Sequence, residues 1–127
     1  MQDKSGVILF GHGARDPEWA GPMQRIQARM RAQRPEVAVE LAFMEFLTPT
    51  LAEAAAGLAA RGVVAITVVP VFLAQGGHLK RDVPALVDQL RQQHPACRLR
   101  LAQAVGEAEG VVAAVADYAL ESADEAG

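Results

Sequence analysis

The sequence predicts an α/β fold, a single-domain four-stranded parallel sheet with helices on both faces. Three observations carry that prediction. Strand-like runs begin at Gly6, Val37, Val63 and Arg98, and each is followed by a segment with helical periodicity. Strand and helix therefore alternate along the chain, the order that gives parallel strands joined by right-handed crossovers. The length, 127 residues, fits one domain spanning 1–127, with the acidic segment 123–127 expected to fray.

Each element has a local reason. "GVILFG", Gly6–Gly11, is a continuous apolar run closed by glycine, which suits a strand buried on both faces. Asp16 stands where an N-cap belongs and Pro17 where a first helical residue belongs. Trp19, Met23, Ile26 and Met30 then recur at helical spacing as one core-facing stripe, and Pro35 marks the helix end. "VAVELAF", Val37–Phe43, reads as the second strand. In "TPTLAEAAAGLAARG", Thr48 is the expected cap, Pro49 opens the helix, alanines propagate it and Gly62 stops it. "VVAITVVPVFL" is rich in β-branched residues, with Pro70 expected near the strand's C-terminal end because a ladder interior would lose a donor there. "DVPALVDQLRQQHP" is the third helix, capped by Asp82 with Pro84 in its first turn. "RLRLAQAV" alternates Arg98 and Arg100 with Leu99 and Leu101, the pattern of an edge strand. "AEGVVAAVADYALES" is the last helix.

Bulk composition narrows the function classes. Hydrophobic residues make up 51% and charged residues 21%, an ordinary globular balance. The net charge of -3, from 12 Lys+Arg against 15 Asp+Glu, lacks the basic excess of a nucleic-acid binder. The single cysteine, Cys97, cannot form an internal disulfide, so a reducing, cytoplasmic location is expected. No run approaches the ~20 apolar residues of a membrane span, and the N-terminal apolar run is too short for a signal peptide. "GHGARD" begins like a dinucleotide-binding GxGxxG, but Asp16 stands where the third glycine belongs. It also lacks the arginine that precedes histidine in the RHG of histidine phosphatases. No Ser or Cys nucleophile occupies a candidate strand end.

What remains at the strand ends is imidazole, carboxylate and cation. Open parallel sheets place ligands beyond the carboxyl ends of their strands. The first three ends carry "GHGARD", "MEF" and "QGGHLKR", which brings His12, Glu45 and His78 to one edge. Two imidazoles and a carboxylate suit a divalent first-row metal, and a neutral imidazole also accepts a proton near pH 7. With no CxxC or HExxH, an open, transient metal site fits better than a permanent structural zinc. Gly76 and Gly77 before His78 suit either a tight turn with positive φ or close approach of backbone N–H groups to a ligand. Arg15, Lys80 and Arg81 at the same edge point to an anionic ligand. His94, before Pro95 at a helix end, reads as structural.

Three segments together resemble a known family. "VILFGHGARDP", "AFMEFLTPTLAEA" and "VVPVFLAQGGHLKRDVP" are similar, in order, to the signatures of the small sirohydrochlorin chelatases of the class II group. The third match is the most specific, and the resemblance covers essentially the whole chain. Ala14 departs from it, standing where serine is common, so no hydroxyl flanks His12 there. The resemblance implies one flavodoxin-like half of the two-domain chelatases, pairing as a homodimer around a shared cleft. It implies insertion of Co²⁺ toward cobalamin, or Fe²⁺ toward sirohaem, with Ni²⁺ inserted by short relatives and no organic cofactor. Sirohydrochlorin, a tetrapyrrole with eight carboxylates, would be the substrate. The family's metal ligands map onto His12, Glu45 and His78, with His12 and His78 as catalytic groups. The substrate would be held by Arg15, Gln75, Gly76, Gly77, Lys80 and Arg81, with Phe72 or Leu73 as a wall against the ring. Two other readings stay open at this point: a non-enzymatic metal or tetrapyrrole carrier, and a flavodoxin-like phosphate or nucleotide binder.

Overall fold

A computed structural model describes residues 4–126, apart from the side chains of His78 and Ala126. Strands β1 (Lys4–Gly11), β2 (Ala38–Phe43), β3 (Val63–Pro70) and β4 (Arg98–Leu101) form one parallel sheet in the order β2-β1-β3-β4. β4 lies at the edge, as its alternation predicts: Arg98 and Arg100 are exposed and Leu99 is buried. Pro70 is the last residue of β3, where its missing N–H costs no ladder bond further along.

Helices α1 (Gly21–Gln33), α2 (Leu51–Ala60), α3 (Gly77–Gln93) and α4 (Glu109–Ala126) complete the fold. The step from β1 to β2 runs opposite to the steps from β2 to β3 and from β3 to β4. With right-handed crossovers, α1 then covers one face and α2 and α3 the other. The core divides accordingly. Ile8, Phe10, Ile66 and Val68 pack with Leu51 and Leu58 of α2 and with Val83, Val87 and Leu90 of α3. Leu9, Val39 and Phe43 pack with Met23 on the α1 side. Among the described residues, no helix is long and apolar enough to cross a membrane.

The structure corrects four local expectations. Asp16 and Pro17 open a short 3-10 turn, Pro17–Ala20, with the Asp16 carboxylate accepting from the Glu18 amide, and the α-helix proper starts at Gly21. The stripe on α1 is also rotated. Met23 is buried, but Ile26 is 43% exposed and Trp19 is exposed too. Gln27 and Arg31 take the sheet-facing places, donating to the Val39 carbonyl at 2.8 and 2.9 Å, so long polar side chains substitute for the apolar one expected. The strand residue Glu40 is tied to Arg61 at 3.1 Å and Arg31 at 3.7 Å.

The cap of α2 is Thr50, not Thr48, and Pro49 precedes the helix. Thr50 Oγ1 accepts from the Glu53 amide at 3.2 Å while Glu53 Oε1 accepts from the Thr50 amide at 2.9 Å, a complete capping box. Thr50→Ala should therefore lower stability by about 1 kcal/mol, read as a shift of the denaturant midpoint with unchanged slope. Thr48→Ala should leave the midpoint in place.

Helix α3 begins at Gly77 rather than at Asp82, so His78, Lys80 and Arg81 stand on its opening turns and not in a loop. Gly76, extended at φ -69 and ψ 170, is the N-cap, and its carbonyl accepts from the Lys80 amide at 3.1 Å. Pro84 lies inside this helix, where it lacks the N–H that would bond the Lys80 carbonyl. α4 runs to Ala126, the last described residue.

Candidate active site

The site is built at the carboxyl ends of β1, β2 and β3. Pairing between β1 and β2 continues past the strand ends: the Met44 amide donates to the Gly11 carbonyl at 3.0 Å and the Glu45 amide to the His12 carbonyl at 3.1 Å. The topology thus locks His12 and Glu45 side by side through the main chain. Gly13 makes this approach possible. Its φ is +91, and a Cβ there would lie 1.8 Å from the Glu45 carbonyl oxygen. Only glycine combines that conformation with that contact.

The His12 ring rests on Phe72 at 4.7 Å between centroids, and Phe72 in turn packs edge-on against Phe10 at 6.2 Å. Phe72 is only 6% exposed. Expected as a wall for substrate, it is placed in the core, as a floor under the His12 imidazole. The next residue, Leu73, is 73% exposed and presents the apolar surface at this edge. His12 itself is exposed, so its ring is supported from below yet open above.

Beyond Glu45 the chain makes a turn that the sequence does not announce. Phe46 has φ +69, and the Leu47 amide donates to the Glu45 carbonyl at 2.8 Å, a γ-turn of the rare positive-φ kind. A bulky residue held there carries strain of about 1–3 kcal/mol. The Phe46 ring is 55% exposed, and the Arg15 guanidinium lies over it at 4.7 Å. An exposed cation–π contact contributes about 0.5–1 kcal/mol, less than the strain. Met44 is exposed beside it.

His78 reaches the same edge on the first turn of α3; its side chain lies outside the described residues. A small apolar pocket of about 160 Å³ joins the two sides, lined by Phe10, Phe43, Met44, Leu51, Val83 and Leu86. Gly76 and Gly77 have no positive φ, and a Cβ on either would meet nothing within 4 Å. The tight-turn explanation for this pair therefore fails, and neither packing nor dihedral angle requires glycine. Gln75 is half-buried, and Lys80 and Arg81 are exposed on α3. Among the described side chains, no group of three or more His, Cys, Asp or Glu gathers to hold a metal ion. His94 is the C-cap of α3, its amide bonded to the Leu90 carbonyl at 2.9 Å, at the opposite edge of the sheet. Sequence reasoning missed Met44 and Phe46 as members of this rim. Only their position beside Glu45 in "MEF" hinted at it.

Comparison with known proteins identifies the family and agrees with the fold. The CbiX family model matches residues 6–122. The sirohydrochlorin cobaltochelatase of Methanosarcina acetivorans is 39% identical over 87 residues, which are 68% of this chain and 67% of that protein. The sirohydrochlorin cobaltochelatase of Methanopyrus kandleri is 42% identical over 81 residues, 64% of this chain and 57% of that protein. Among solved structures, a cobalamin (vitamin B12) biosynthesis CbiX protein from Marinobacter aquaeolei VT8 superposes with a TM-score of 0.82 at 30% identity, covering 95% of this chain and 98% of that one. The sirohydrochlorin chelatase SirB from Bacillus subtilis subspecies spizizenii, solved with cobalt, has a TM-score of 0.77 at 24% identity. It covers 93% of this chain but 50% of SirB, so the fold here matches one half of that protein. With its strand-end histidine and glutamate joined through the main chain and its length matched almost throughout, the chain belongs to the CbiX family.

Proposed function

We propose that this protein is a sirohydrochlorin cobaltochelatase, a lyase that inserts Co²⁺ into metal-free sirohydrochlorin in cobalamin biosynthesis. Membership of the CbiX family and relatives of that name support the reading. The observation that carries it is the pairing of the His12 and Glu45 main chains at the sheet edge reached by His78.

Insertion requires that aqueous Co²⁺ shed waters and that two pyrrole N–H protons leave as two nitrogens take the metal. In this reading His12, Glu45 and His78 capture the ion and leave positions open for transfer. Neutral imidazole not engaged with metal accepts a departing proton. The exposed Leu73 and Met44 face the apolar macrocycle. Arg15, Lys80, Arg81 and the amides of Gly76 and Gly77, which carry no side chain to block approach, hold its peripheral carboxylates. The same ligand set accepts Fe²⁺ and Ni²⁺, so the metal is chosen by assay. Anaerobic incubation of excess sirohydrochlorin with catalytic protein and Co²⁺, Fe²⁺ or Ni²⁺, followed by absorbance, tests the function. Many turnovers with Co²⁺ support it. A single stoichiometric change without turnover favours a carrier.

The working unit in this reading is a homodimer, for a reason visible in α4. From Val112 to Glu125 every residue of that helix is exposed, including Val112, Val115, Tyr118 and Leu120. Helices in proteins draw most of their stability from a packed face, and this one has none over these residues. The sheet face carrying α1 is only partly covered over β1 and β3, where Val7, Ala65 and Thr67 are half-buried and a groove of about 330 Å³ is lined by these residues with Val39, Met30 and Arg34. The register pairs Ala65 with Arg98 and Thr67 with Arg100, so both arginines flank this face. α4 carries Glu109, Asp117, Glu121, Asp124 and Glu125 and no cation. We infer that α4 of each copy lies on this face of the other, apolar stripe against the groove and acids toward Arg100. Sedimentation should give twice the chain mass, and Val115→Glu should shift it toward monomer and cut activity. A wild-type monomer with full activity at high concentration would remove this part of the reading.

A further inference from the structure

The γ-turn at Phe46 is a residue choice that folding does not explain. Glycine would adopt φ +69 without strain, and asparagine would do so more readily than phenylalanine. A large aromatic is normally retained because it is buried, yet this ring is more than half exposed. Its contact with Arg15 returns less than the turn withholds. Strain of this kind persists where the surrounding structure over-determines it, and it clusters at ligand clamps. Here the over-determination is visible: Glu45 is held from one side by its amide N–H, which donates to the His12 carbonyl, and from another by its carbonyl packed against Gly13. The turn raises Phe46 directly beside the strand-end edge, next to Met44 and beneath Arg15.

We propose that Phe46 and Arg15 form a two-part platform for the substrate, the ring stacking on the macrocycle and the guanidinium taking one of its peripheral carboxylates. The proposal rests on the chelatase reading above and assigns it a positioning element that neither metal ligation nor proton transfer requires. The chemistry matches on both counts. An aromatic ring and a conjugated macrocycle stack through large flat surfaces, and a planar guanidinium binds a carboxylate in bidentate fashion. Arg15 already lies over one face of the ring, 4.7 Å from the centroid, so one residue orders the other before substrate arrives and the macrocycle stacks on the opposite face. Lysine in its place would keep the charge but lose the planar fork and the stack.

The test uses the whole protein, three variants and two separate binding measurements. Phe46→Gly removes the ring and relieves the turn. Phe46→Tyr keeps a flat ring, and Arg15→Lys keeps only the charge. Affinity for metal-free sirohydrochlorin is read from quenching of its fluorescence under anaerobic conditions, and Co²⁺ affinity is measured separately by calorimetry. Phe46→Gly should melt at or above the wild-type temperature, keep wild-type Co²⁺ affinity and bind sirohydrochlorin about ten-fold more weakly or worse, the scale of one lost aromatic stack. Phe46→Tyr should bind like wild type, and Arg15→Lys should fall between. The proposal is overturned if Phe46→Gly binds the macrocycle normally, if Phe46→Tyr loses as much as Phe46→Gly, or if Co²⁺ and macrocycle affinities fall together. Wild-type protein that neither binds nor metallates sirohydrochlorin refutes the chelatase reading instead, and the two failures are distinct.

Discussion

His12→Ala is expected to abolish cobalt insertion and to leave the fold intact. The residue is exposed, and its only described ring contact is with Phe72, which stays anchored on Phe10. No large cavity opens, so the stability change should stay within about 1 kcal/mol. The main-chain bond from Glu45 to the His12 carbonyl does not depend on the side chain and survives. What is lost is an imidazole that captures metal or accepts a proton, and removing such a group costs a factor of about 10²–10⁴ in comparable chemistry. His78→Ala, on the first turn of α3, should behave alike. His94→Ala, at the far end of that helix, is the control and should match wild type. Initial rates of sirohydrochlorin metallation, together with denaturant midpoints, check all three. A normal rate in either edge variant would return that histidine to a structural role.

Gly13→Ala should damage stability and chemistry together. Alanine at φ +91 is strained, and its Cβ would overlap the Glu45 carbonyl oxygen, so either the His12 loop or the Glu45 turn must move. We expect a loss of about 2 kcal/mol or more, since the strain and the steric displacement act on the same bond. Co²⁺ affinity should fall with it, because His12 and Glu45 are no longer held in register. Gly77→Ala is the contrast. Its Cβ would meet open space and it lies within α3, where alanine is favoured over glycine by up to about 1 kcal/mol. Stability should hold or rise there, while sirohydrochlorin affinity drops if the macrocycle's carboxylates approach that backbone.

Much of this arrangement was legible in the sequence because it follows from alternation. Four strand–helix units dictate a parallel sheet, and a parallel sheet dictates that the ends of β1, β2 and β3 share an edge. That logic needs no side-chain detail, and it brings His12, Glu45 and His78 to one edge; that Glu45 is the main-chain neighbour of His12 follows only from the strand order. The misplacements have local causes. Asp82 and Pro84 looked like a cap and a first turn, but Gly76 in an extended conformation had already started the helix. Thr48 and Thr50 both flank Pro49, and only the spacing from Thr50 to Glu53 completes a capping box. On α1, Gln27 and Arg31 displace Ile26 because their amide and guanidinium groups satisfy the Val39 carbonyl, a tertiary contact invisible to periodicity. The γ-turn at Phe46 gave no signal, since phenylalanine is the wrong residue for it. The exposure of α4 was equally hidden, because an amphipathic helix reads the same whether its own domain or another copy receives it.

The central claim is that Co²⁺ enters at the carboxyl edge of the sheet, held by His12, Glu45 and His78. Crystals grown anaerobically with Co²⁺ and measured on both sides of the cobalt absorption edge test it most directly. The account predicts one anomalous peak per chain at that edge, within bonding distance of imidazole nitrogens of His12 and His78 and a carboxylate oxygen of Glu45. A cobalt peak elsewhere on the chain, or at that edge but bound to none of these three residues, would contradict it.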